Sequence, residues 1–273
     1  MAKKSKLKIG IIGAGVMGAA LAVNLLKRKV VSKSQLVLSD KNESLLKKRR
    51  QELGVNVSPD SSAAVRDSDY IILAVKPQDF ASLAKDISQS RPGKKVFLSI
   101  MAGVSIAKLK KHLATEQVVR AMPNLAAKVG QAFVVWKSGS ALGSQEKKFV
   151  SSIFNSLGQA VAVSNEDDLN RATALSGSGP AYLYYFMESL AKAARDLGFS
   201  QELAQLAVAQ TVRGAWALYE QAQTSPEVLR AQVTSKRGTT EAAIKSFRKN
   251  KFDSVIKKGI KAAYVRAKEL SRT

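Results

Sequence analysis

Residues 9–21 read IGIIGAGVMGAAL, an apolar strand pattern that runs into a glycine-rich turn and then at once into a helical pattern. In the spacing Gly13-x-Gly15-x-x-Gly18, Gly13 permits the tight turn, Gly15 lets the backbone approach a pyrophosphate, and Gly18 lets helix and strand pack closely. The free N–H groups of the helix N-terminus favour the same phosphates. We therefore predict a dinucleotide site, with a purely structural turn as the alternative, and expect contacts from Gly13, Ala14, Gly15, Val16, Met17 and Gly18.

The second strand pattern ends in Asp40-Lys41, which carries two conflicting cues about the cofactor. Asp40 follows Gly18 by 22 positions, where an acid would accept a hydrogen bond from the ribose 2′-hydroxyl of NAD. Lys41 could instead hold the 2′-phosphate of NADP. A solvated turn with neither role is the third possibility, so both residues are candidate cofactor ligands.

Two further strand patterns end in segments that suit the walls of a cleft. Residues 70–78 read YIILAVKPQ, and residues 99–104 read SIMAGV, with small residues that leave room for a ligand. The carboxyl ends of parallel strands meet at the edge where ligands bind in doubly wound folds. Structural turns would explain each segment alone, but together the two favour a cofactor cleft.

The first 165 residues alternate short β-branched runs with helical patterns, whereas the remainder is alanine-rich and shows helical periodicity only. Such alternation predicts βαβ units and a parallel sheet. The predicted strands are Lys8–Ile12, Gln35–Leu38, Tyr70–Ala74, Lys95–Ser99, Val118–Ala121, Ala132–Lys137 and Gln159–Val163. Helices are predicted over about 166–175, 180–197, 201–223, 226–233, 239–249 and 253–270. We thus predict an α/β chain, with a doubly wound Rossmann domain over 1–165 and an all-helical domain over 166–273.

The composition argues against several kinds of chemistry. The chain has no cysteine and one histidine, His112, so thiol nucleophiles and thiolate metal sites are excluded and a Ser-His-Asp triad would need unusual parts. We expect no metal site, and chemistry that belongs to a cofactor. The net charge of +23 is interpreted as solvated helix faces, with a field that attracts anionic ligands as the functional alternative.

The location of the protein is inferred from its apolar runs and its N-terminus. No apolar run reaches the roughly 18 residues that a membrane span needs. The basic stretch at the N-terminus is followed by a strand and a glycine turn rather than by the apolar core of a signal peptide. We therefore expect a cytoplasmic protein without a membrane partner.

Two loops in the helical half suit the binding of a small anion. Residues 174–182 read ALSGSGPAY, and residues 233–241 read VTSKRGTTE. A helix–helix turn would explain the first loop, although its small residues also permit close approach of a ligand or another backbone. The second loop offers several hydroxyl and N–H donors at a helix N-terminus, where an ordinary cap would need one hydroxyl. It is the candidate site for a carboxylate.

The order of IGAGVMG, AVKPQ, SIMAGVSI, RAMPN, ALSGSGPAY and VTSxxGTT resembles that of the pyrroline-5-carboxylate reductases. The resemblance covers about residues 8–270, and its specific parts are ALSGSGPAY and VTSxxGTT. It implies a helical dimerisation domain, an active site shared between one subunit's cofactor cleft and its partner's helices, and a homodimer or an assembly of dimers. The implied reaction is hydride transfer from NADPH or NADH to the C=N carbon of a cyclic imine carboxylate, which gives L-proline in the last step of its synthesis.

The resemblance also implies roles for individual residues. Ser235, Gly238, Thr239 and Thr240 would bind the substrate carboxylate and ring nitrogen, with Thr240 as the hydrogen-bond partner of the nitrogen. Glu166 matches an acid that precedes the SGSGP segment in the family. Residues that would line the cofactor are Ala74, Val75, Lys76, Pro77 and Ala102, and Asn124 would lie near the nicotinamide.

Three departures from the family pattern leave alternatives open. Lys236-Arg237 replaces Pro-Gly, Leu125-Ala126 replaces Thr-Pro, and Gln223 stands where an acid is common. The chain could therefore be a diverged paralogue acting on another imine. A β-hydroxyacid dehydrogenase is a second alternative, which the lack of a lysine soon after Gly179 argues against. A non-catalytic basic binding protein is a third, although no nucleic-acid-binding motif is visible and a nucleic-acid partner is not expected.

Overall fold

The computed structural model describes residues 7–89 and 94–272 of the chain. Its first half forms one eight-stranded sheet with the strand order β3-β2-β1-β4-β5-β6-β7-β8. The first six strands in this order, from β3 through β2, β1, β4 and β5 to β6, run parallel to one another, as in a dinucleotide-binding sheet. The strands are β1 (Ile9–Ile12), β2 (Leu36–Ser39), β3 (Asn56–Ser58), β4 (Tyr70–Leu73), β5 (Val96–Ser99), β6 (Val118–Met122), β7 (Ala132–Ser138) and β8 (Gly158–Ala162).

Twelve α-helices occur among the described residues, six of them between the strands and six after β8. The helices of the first half are α1 (Val16–Lys27), α2 (Glu43–Leu53), α3 (Ser61–Arg66), α4 (Phe80–Gln89), α5 (Ile106–Leu113) and α6 (Ser144–Asn155). The later ones are α7 (Asp167–Ala172), α8 (Gly179–Asp196), α9 (Gln201–Ala222), α10 (Pro226–Gln232), α11 (Thr239–Lys249) and α12 (Phe252–Arg272). The predicted fold class, a Rossmann sheet followed by an all-helical region, is confirmed.

Two features of the sheet differ from the prediction. Strand β3 is an extra, three-residue strand that pairs with β2, and its short sequence Asn-Val-Ser carries no apolar run. Strand β7 is antiparallel to β6, and β8 runs parallel to β7. The connection from β6 to β7 spans only residues 123–131, which is too short for the crossover helix that a parallel neighbour requires.

Alternate residues of the central strands point to opposite faces of the sheet, and each face is covered by helices. On β1, Ile9 and Ile11 belong to one apolar cluster, which includes α1 and α6, whereas Ile12 belongs to the other, which includes α4 and α5. These side chains are almost fully removed from solvent. Because both faces are buried, the strands read as continuous apolar runs, which is why the sequence predicted them well.

The chain divides into two compact units. One contains the described residues up to Ser178 together with those from Ala263 onward, and the other is Gly179–Ala262. The C-terminal turns of α12 thus belong to the same unit as the sheet. The domain boundary between residues 165 and 166, expected from the loss of strand patterns, remains a prediction.

The second unit buries very little apolar surface by itself. Only Ala204 and Val208 are buried among its residues. Its exposed apolar side chains include Tyr185, Leu206 and Trp216, each more than half exposed. Exposed apolar surface on this scale marks an interaction surface in a stable protein.

A hydrogen bond between α12 and α7 makes the stability of the first unit depend on pH. The Tyr264 hydroxyl donates to Asp167 Oδ2 at 2.5 Å, and this bond is the largest cause of the lowered pKa of the Asp167 carboxyl. A lowered folded-state pKa stabilises the fold above the unfolded pKa, about 3.9, and that contribution disappears as the pH falls through the folded value.

We therefore expect Tyr264→Phe to lower the free energy of unfolding by a constant amount above about pH 5, and by a shrinking amount below about pH 4. Urea unfolding of wild type and variant across pH 3–7 measures this difference. A difference that stays the same down to pH 3 would contradict the assignment.

Candidate functional site

The glycine turn between β1 and α1 contains two glycines required by the fold and one that is not. Gly13 has a φ of +105°, and a Cβ there would lie 2.6 Å from the Ala74 carbonyl oxygen. A Cβ at Gly18 would overlap the Gly13 carbonyl oxygen. Gly15 has an ordinary φ of −64°, and a Cβ there would meet nothing within 4 Å. The open space at Gly15, at the N-terminus of a twelve-residue helix, fits a pyrophosphate.

The peptide groups on both sides of Ala14 are fixed by side chains. The Ala14 N–H donates to Asp40 Oδ2 at 2.8 Å, and Arg49 Nε donates to the Ala14 carbonyl at 3.2 Å. The other Asp40 oxygen accepts from the Asn42 N–H at 3.0 Å. Asp40 therefore holds the glycine turn, and its predicted bond to a ribose hydroxyl remains a prediction. Arg49 was not predicted, because it lies in a run of cations that looks like a solvated helix face.

A cleft of about 300 Å³ lies at the carboxyl ends of β1, β2 and β4. Seven predicted cofactor residues line it: Gly13, Gly15, Asp40, Lys41, Ala74, Val75 and Lys76. The remaining lining residues are Ile12, Ser39, Ser61, Asp79 and Leu83. Ser39 and Ser61 are joined by a hydrogen bond of 3.1 Å between their hydroxyls. These two serines were not predicted to line the cleft, because neither belongs to a recognisable cofactor-binding motif.

Other predicted cofactor residues do not line this cleft. Ala14 is fully buried, Met17 packs against the core, and Val16 is exposed at the start of α1. Gly18, Pro77, Ala102 and Asn124 also lie outside the lining. Their predicted contacts with a cofactor remain predictions.

The motif around Asn124 packs against the SGSGP segment. Asn124 Nδ2 donates to the Ser176 carbonyl at 2.9 Å, and its Oδ1 accepts from the Ala126 N–H at 3.2 Å. Residues Thr173–Gly177 form a π-helix that continues α7. The segment is therefore not the simple helix–helix turn that was the alternative to a ligand-binding loop. A Cβ at Gly177 would lie 3.0 Å from Met122 Cε. Small residues are needed here for close packing, and single-turn π-helices are frequent at functional sites.

The Glu166 carboxylate accepts two hydrogen bonds from other residues of the first unit. Its Oε1 accepts from Arg120 Nη1 at 2.9 Å and from the Ile106 N–H at 2.8 Å. Arg120 is 3% exposed, so its charge depends on this ion pair for compensation. The predicted contact of Glu166 with a substrate remains a prediction.

The loop before α11 brings Ser235, Gly238, Thr239 and Thr240 together in the second unit. A Cβ at Gly238 would overlap the Ser235 hydroxyl, and the Gly238 N–H donates to the Ser235 carbonyl at 3.0 Å. Arg237 adopts the left-handed conformation with a φ of 63°, which a family glycine would adopt without strain. Its N–H donates to Glu241 Oε2 at 2.7 Å. Arg237 is therefore held in the left-handed conformation within this turn, and its N–H is paired.

The hydroxyl groups of this loop are available to a ligand. The hydroxyls of Ser235, Thr239 and Thr240 have no hydrogen-bond partner among the residues that the structure describes. The first N–H groups of α11 also lack acceptors within the helix. Glu241 is occupied by Arg237 and Lys245, and the hydrogen bond from the Arg237 backbone is the main cause of its lowered pKa. Three hydroxyls and a helix N-terminus can together bind a carboxylate.

Two family models match the chain. Residues 8–103 match a family described as NADP oxidoreductase, coenzyme F420-dependent, and residues 166–270 match a family described as pyrroline-5-carboxylate reductase dimerisation. A curated relative, the pyrroline-5-carboxylate reductase of Staphylococcus saprophyticus, is 35% identical over 97% of this chain and 98% of its own length.

Solved structures of the same kind superimpose along almost the whole chain. A pyrroline-5-carboxylate reductase from Coxiella burnetii has a TM-score of 0.90 at 32% identity, covering 98% of this chain and 99% of that one. A Plasmodium falciparum pyrroline carboxylate reductase with NADP bound has a TM-score of 0.86 at 30% identity, covering 98% and 100%. In the part of the chain that the structure describes, no helix has the length and apolar character to cross a membrane.

Proposed function

The chain belongs to the family of pyrroline-5-carboxylate reductases, and from this premise we propose that it reduces Δ1-pyrroline-5-carboxylate to L-proline with NADP(H) as the cofactor. The observation that carries this proposal is the 35% identity to a reductase over 97% of the chain. This full-length likeness favours the reductase over a β-hydroxyacid dehydrogenase and over a non-catalytic basic protein. The loop at Lys236-Arg237 still forms a closed turn, with the Gly238 N–H bonded to the Ser235 carbonyl, which supports activity on the family substrate.

The residues of the first unit fit a dinucleotide. When bound, NADPH supplies the hydride that reduces the imine. We propose that the open space at Gly15 and the first N–H groups of α1 receive the pyrophosphate, while Asp40 and Arg49 keep the turn in shape. Lys41, exposed at the end of β2, is the proposed partner of the 2′-phosphate. The lining residues Ala74, Val75 and Lys76 form the opposite wall.

The residues around α11 bind and orient the substrate in this proposal. Ser235, Thr239 and the helix N-terminus hold the carboxylate, and the Thr240 hydroxyl accepts a hydrogen bond from the protonated ring nitrogen. The imine carbon gains the hydride, and the π-electron pair of the C=N bond moves to the nitrogen, which already carries its proton. No protein nucleophile is needed, because the protonated imine is electrophilic. Catalysis consists of orientation and charge complementarity.

We also propose that the chain acts as a homodimer or an assembly of dimers. The second unit buries only two residues by itself, and the match to a dimerisation family covers residues 166–270. A second copy of the same apolar surface is the partner that supplies the missing core. The proposed helical domain, residues 166–273, corresponds closely to this match.

If Lys41 binds the 2′-phosphate, Lys41→Ala weakens NADPH binding by about three- to tenfold and leaves NADH binding unchanged, since NADH lacks that phosphate. Fluorescence titration of both nucleotides measures the two dissociation constants. Lys47→Ala is the matched control, because Lys47 is another exposed lysine nearby, on α2. Equal effects of Lys41→Ala on both nucleotides would rule out the assignment.

The reaction itself is tested by initial rates of nicotinamide oxidation with purified protein and Δ1-pyrroline-5-carboxylate, with NADPH and NADH in parallel. We expect rapid, substrate-dependent oxidation that is faster with NADPH at low cofactor concentration. Tight nucleotide binding without oxidation would instead indicate a diverged paralogue with another imine or hydroxyacid as substrate.

A further inference from the structure

The C-terminal turns of α12 are built into the unit that holds the cofactor cleft. Gly103 has a φ of +73°, and a Cβ there would lie 2.7 Å from the Leu270 carbonyl oxygen. The loop that carries Ala102 therefore packs directly on the backbone of the last helix.

A buried arginine connects the same helix to two other segments. From β6, Arg120 donates through Nη1 to Glu166 at 2.9 Å and through Nη2 to Asn170 Oδ1 at 3.2 Å and Ser271 Oγ at 3.4 Å. The Ser271 hydroxyl in turn has two acceptors for its proton, Asn170 Oδ1 at 2.8 Å and the Ala267 carbonyl of its own helix at 2.9 Å. Glu166 extends the network by accepting from the Ile106 N–H. Arg120 and Glu166 together thus join β6, α7, α12 and the start of α5.

The loop after β5 and the segment after β6 both lie next to this network, and both lead to the proposed nicotinamide end of the cleft. In a doubly wound sheet, the pyrophosphate lies at the first turn and the adenosine ribose lies beside the end of the second strand. The other half of the dinucleotide must then lie towards β4, β5 and β6. Ala102 follows β5 in the loop that leads to Ile106, and Asn124 lies two residues after Met122, the last residue of β6. The network therefore anchors the chain four residues from each of them, at Ile106 and at Arg120.

We propose that Arg120 is a positioning residue for the nicotinamide half of the cofactor, and that the end of α12 acts through Ser271 as its clamp. This inference rests on the proposed cofactor role of the cleft. Arg120 is buried and acts through the loops at Ala102 and Asn124, not by contact with the substrate. The adenosine half is held separately, by the turn around Gly15 and by the end of β2.

The separation of the two halves allows a binding test that needs no turnover. NADPH reports on both halves, whereas adenosine 2′,5′-bisphosphate reports on the adenosine half alone. The variants are Arg120→Lys, which keeps the charge but loses the three-way fork, and Ser271→Ala. Ser152→Ala is the matched control, since Ser152 Oγ donates only to a carbonyl of its own helix.

We expect Arg120→Lys to weaken NADPH binding about tenfold, and Ser271→Ala about threefold, with adenosine 2′,5′-bisphosphate binding unchanged within about twofold. Ser152→Ala should change neither. Equal weakening of both ligands, or a lowered melting temperature with no change in their ratio, would reduce the network to a structural role and overturn the proposal. If Arg120→Lys does not fold, Ser271→Ala decides by the same ratio. A wild-type protein that does not bind NADPH would refute the proposed function instead.

Discussion

Gly15→Val weakens NADPH binding at least about a hundredfold and leaves the fold intact. A valine Cβ at this position meets no protein atom within 4 Å, and the φ of −64° suits any residue. The side chain would instead fill the space proposed for the pyrophosphate and cover the first N–H groups of α1. Two lost hydrogen bonds to a charged group, at about 1.5 kcal/mol each, correspond to more than a hundredfold in affinity. Titration of nicotinamide fluorescence measures this effect.

The contrast with Gly18→Ala separates a binding role from a folding role. A Cβ at Gly18 would overlap the Gly13 carbonyl, so even alanine must displace the backbone. We expect Gly18→Ala to lower the melting temperature, whereas Gly15→Val changes the free energy of unfolding by no more than about 1 kcal/mol, the scale of an N-cap preference. NADPH binding that survives Gly15→Val would show that the pyrophosphate lies elsewhere.

The second large effect is expected at Thr240. Thr240→Ala should lower kcat/KM for the imine about a hundredfold, because it removes a hydrogen bond to a positively charged ring nitrogen in the proposed site. The hydroxyl has no partner among the described residues, so its loss leaves no protein group unpaired. Nucleotide binding and thermal stability should be unchanged. Steady-state kinetics with NADPH at saturation measure the loss.

Thr240→Ser provides the control for that result, since it keeps the hydroxyl and removes only a methyl group. We expect it to restore kcat/KM to within about tenfold of wild type. An alanine variant with an unchanged rate would refute the role of Thr240. Equal losses in Thr240→Ala and Thr240→Ser would show that the methyl group, through packing, is what matters.

The sequence predicted the cofactor half of the fold well because its signals are local. Apolar strands that are buried on both faces read as continuous runs, and the glycine spacing after β1 has a direct steric cause at Gly13 and Gly18. The three-residue strand β3 carries no such run, so it could not be seen. The turn from β6 to an antiparallel β7 depends on the length of a connection rather than on any motif.

Sequence patterns could not predict the contacts between residues that are far apart in the chain. The bonds from Ser271 to Asn170 and from Arg49 to Ala14 join residues that are 101 and 35 positions apart. Arg49 lies in a run of cations that the sequence alone suggests is a solvated helix face. The engagement of Glu166 by Arg120 is of the same kind, because the family resemblance predicts an acid at that place but not its partner.

The most direct test of the central claim is a mass balance with purified protein, Δ1-pyrroline-5-carboxylate and NADPH, in which L-proline is quantified against the NADPH consumed. Gly15→Val, which keeps the fold but loses the cofactor site, serves as the blank. We predict one L-proline formed for each NADPH oxidised by the wild type, and almost none by the variant. NADPH consumed without L-proline, or L-proline formed equally by the Gly15→Val protein, would contradict the account.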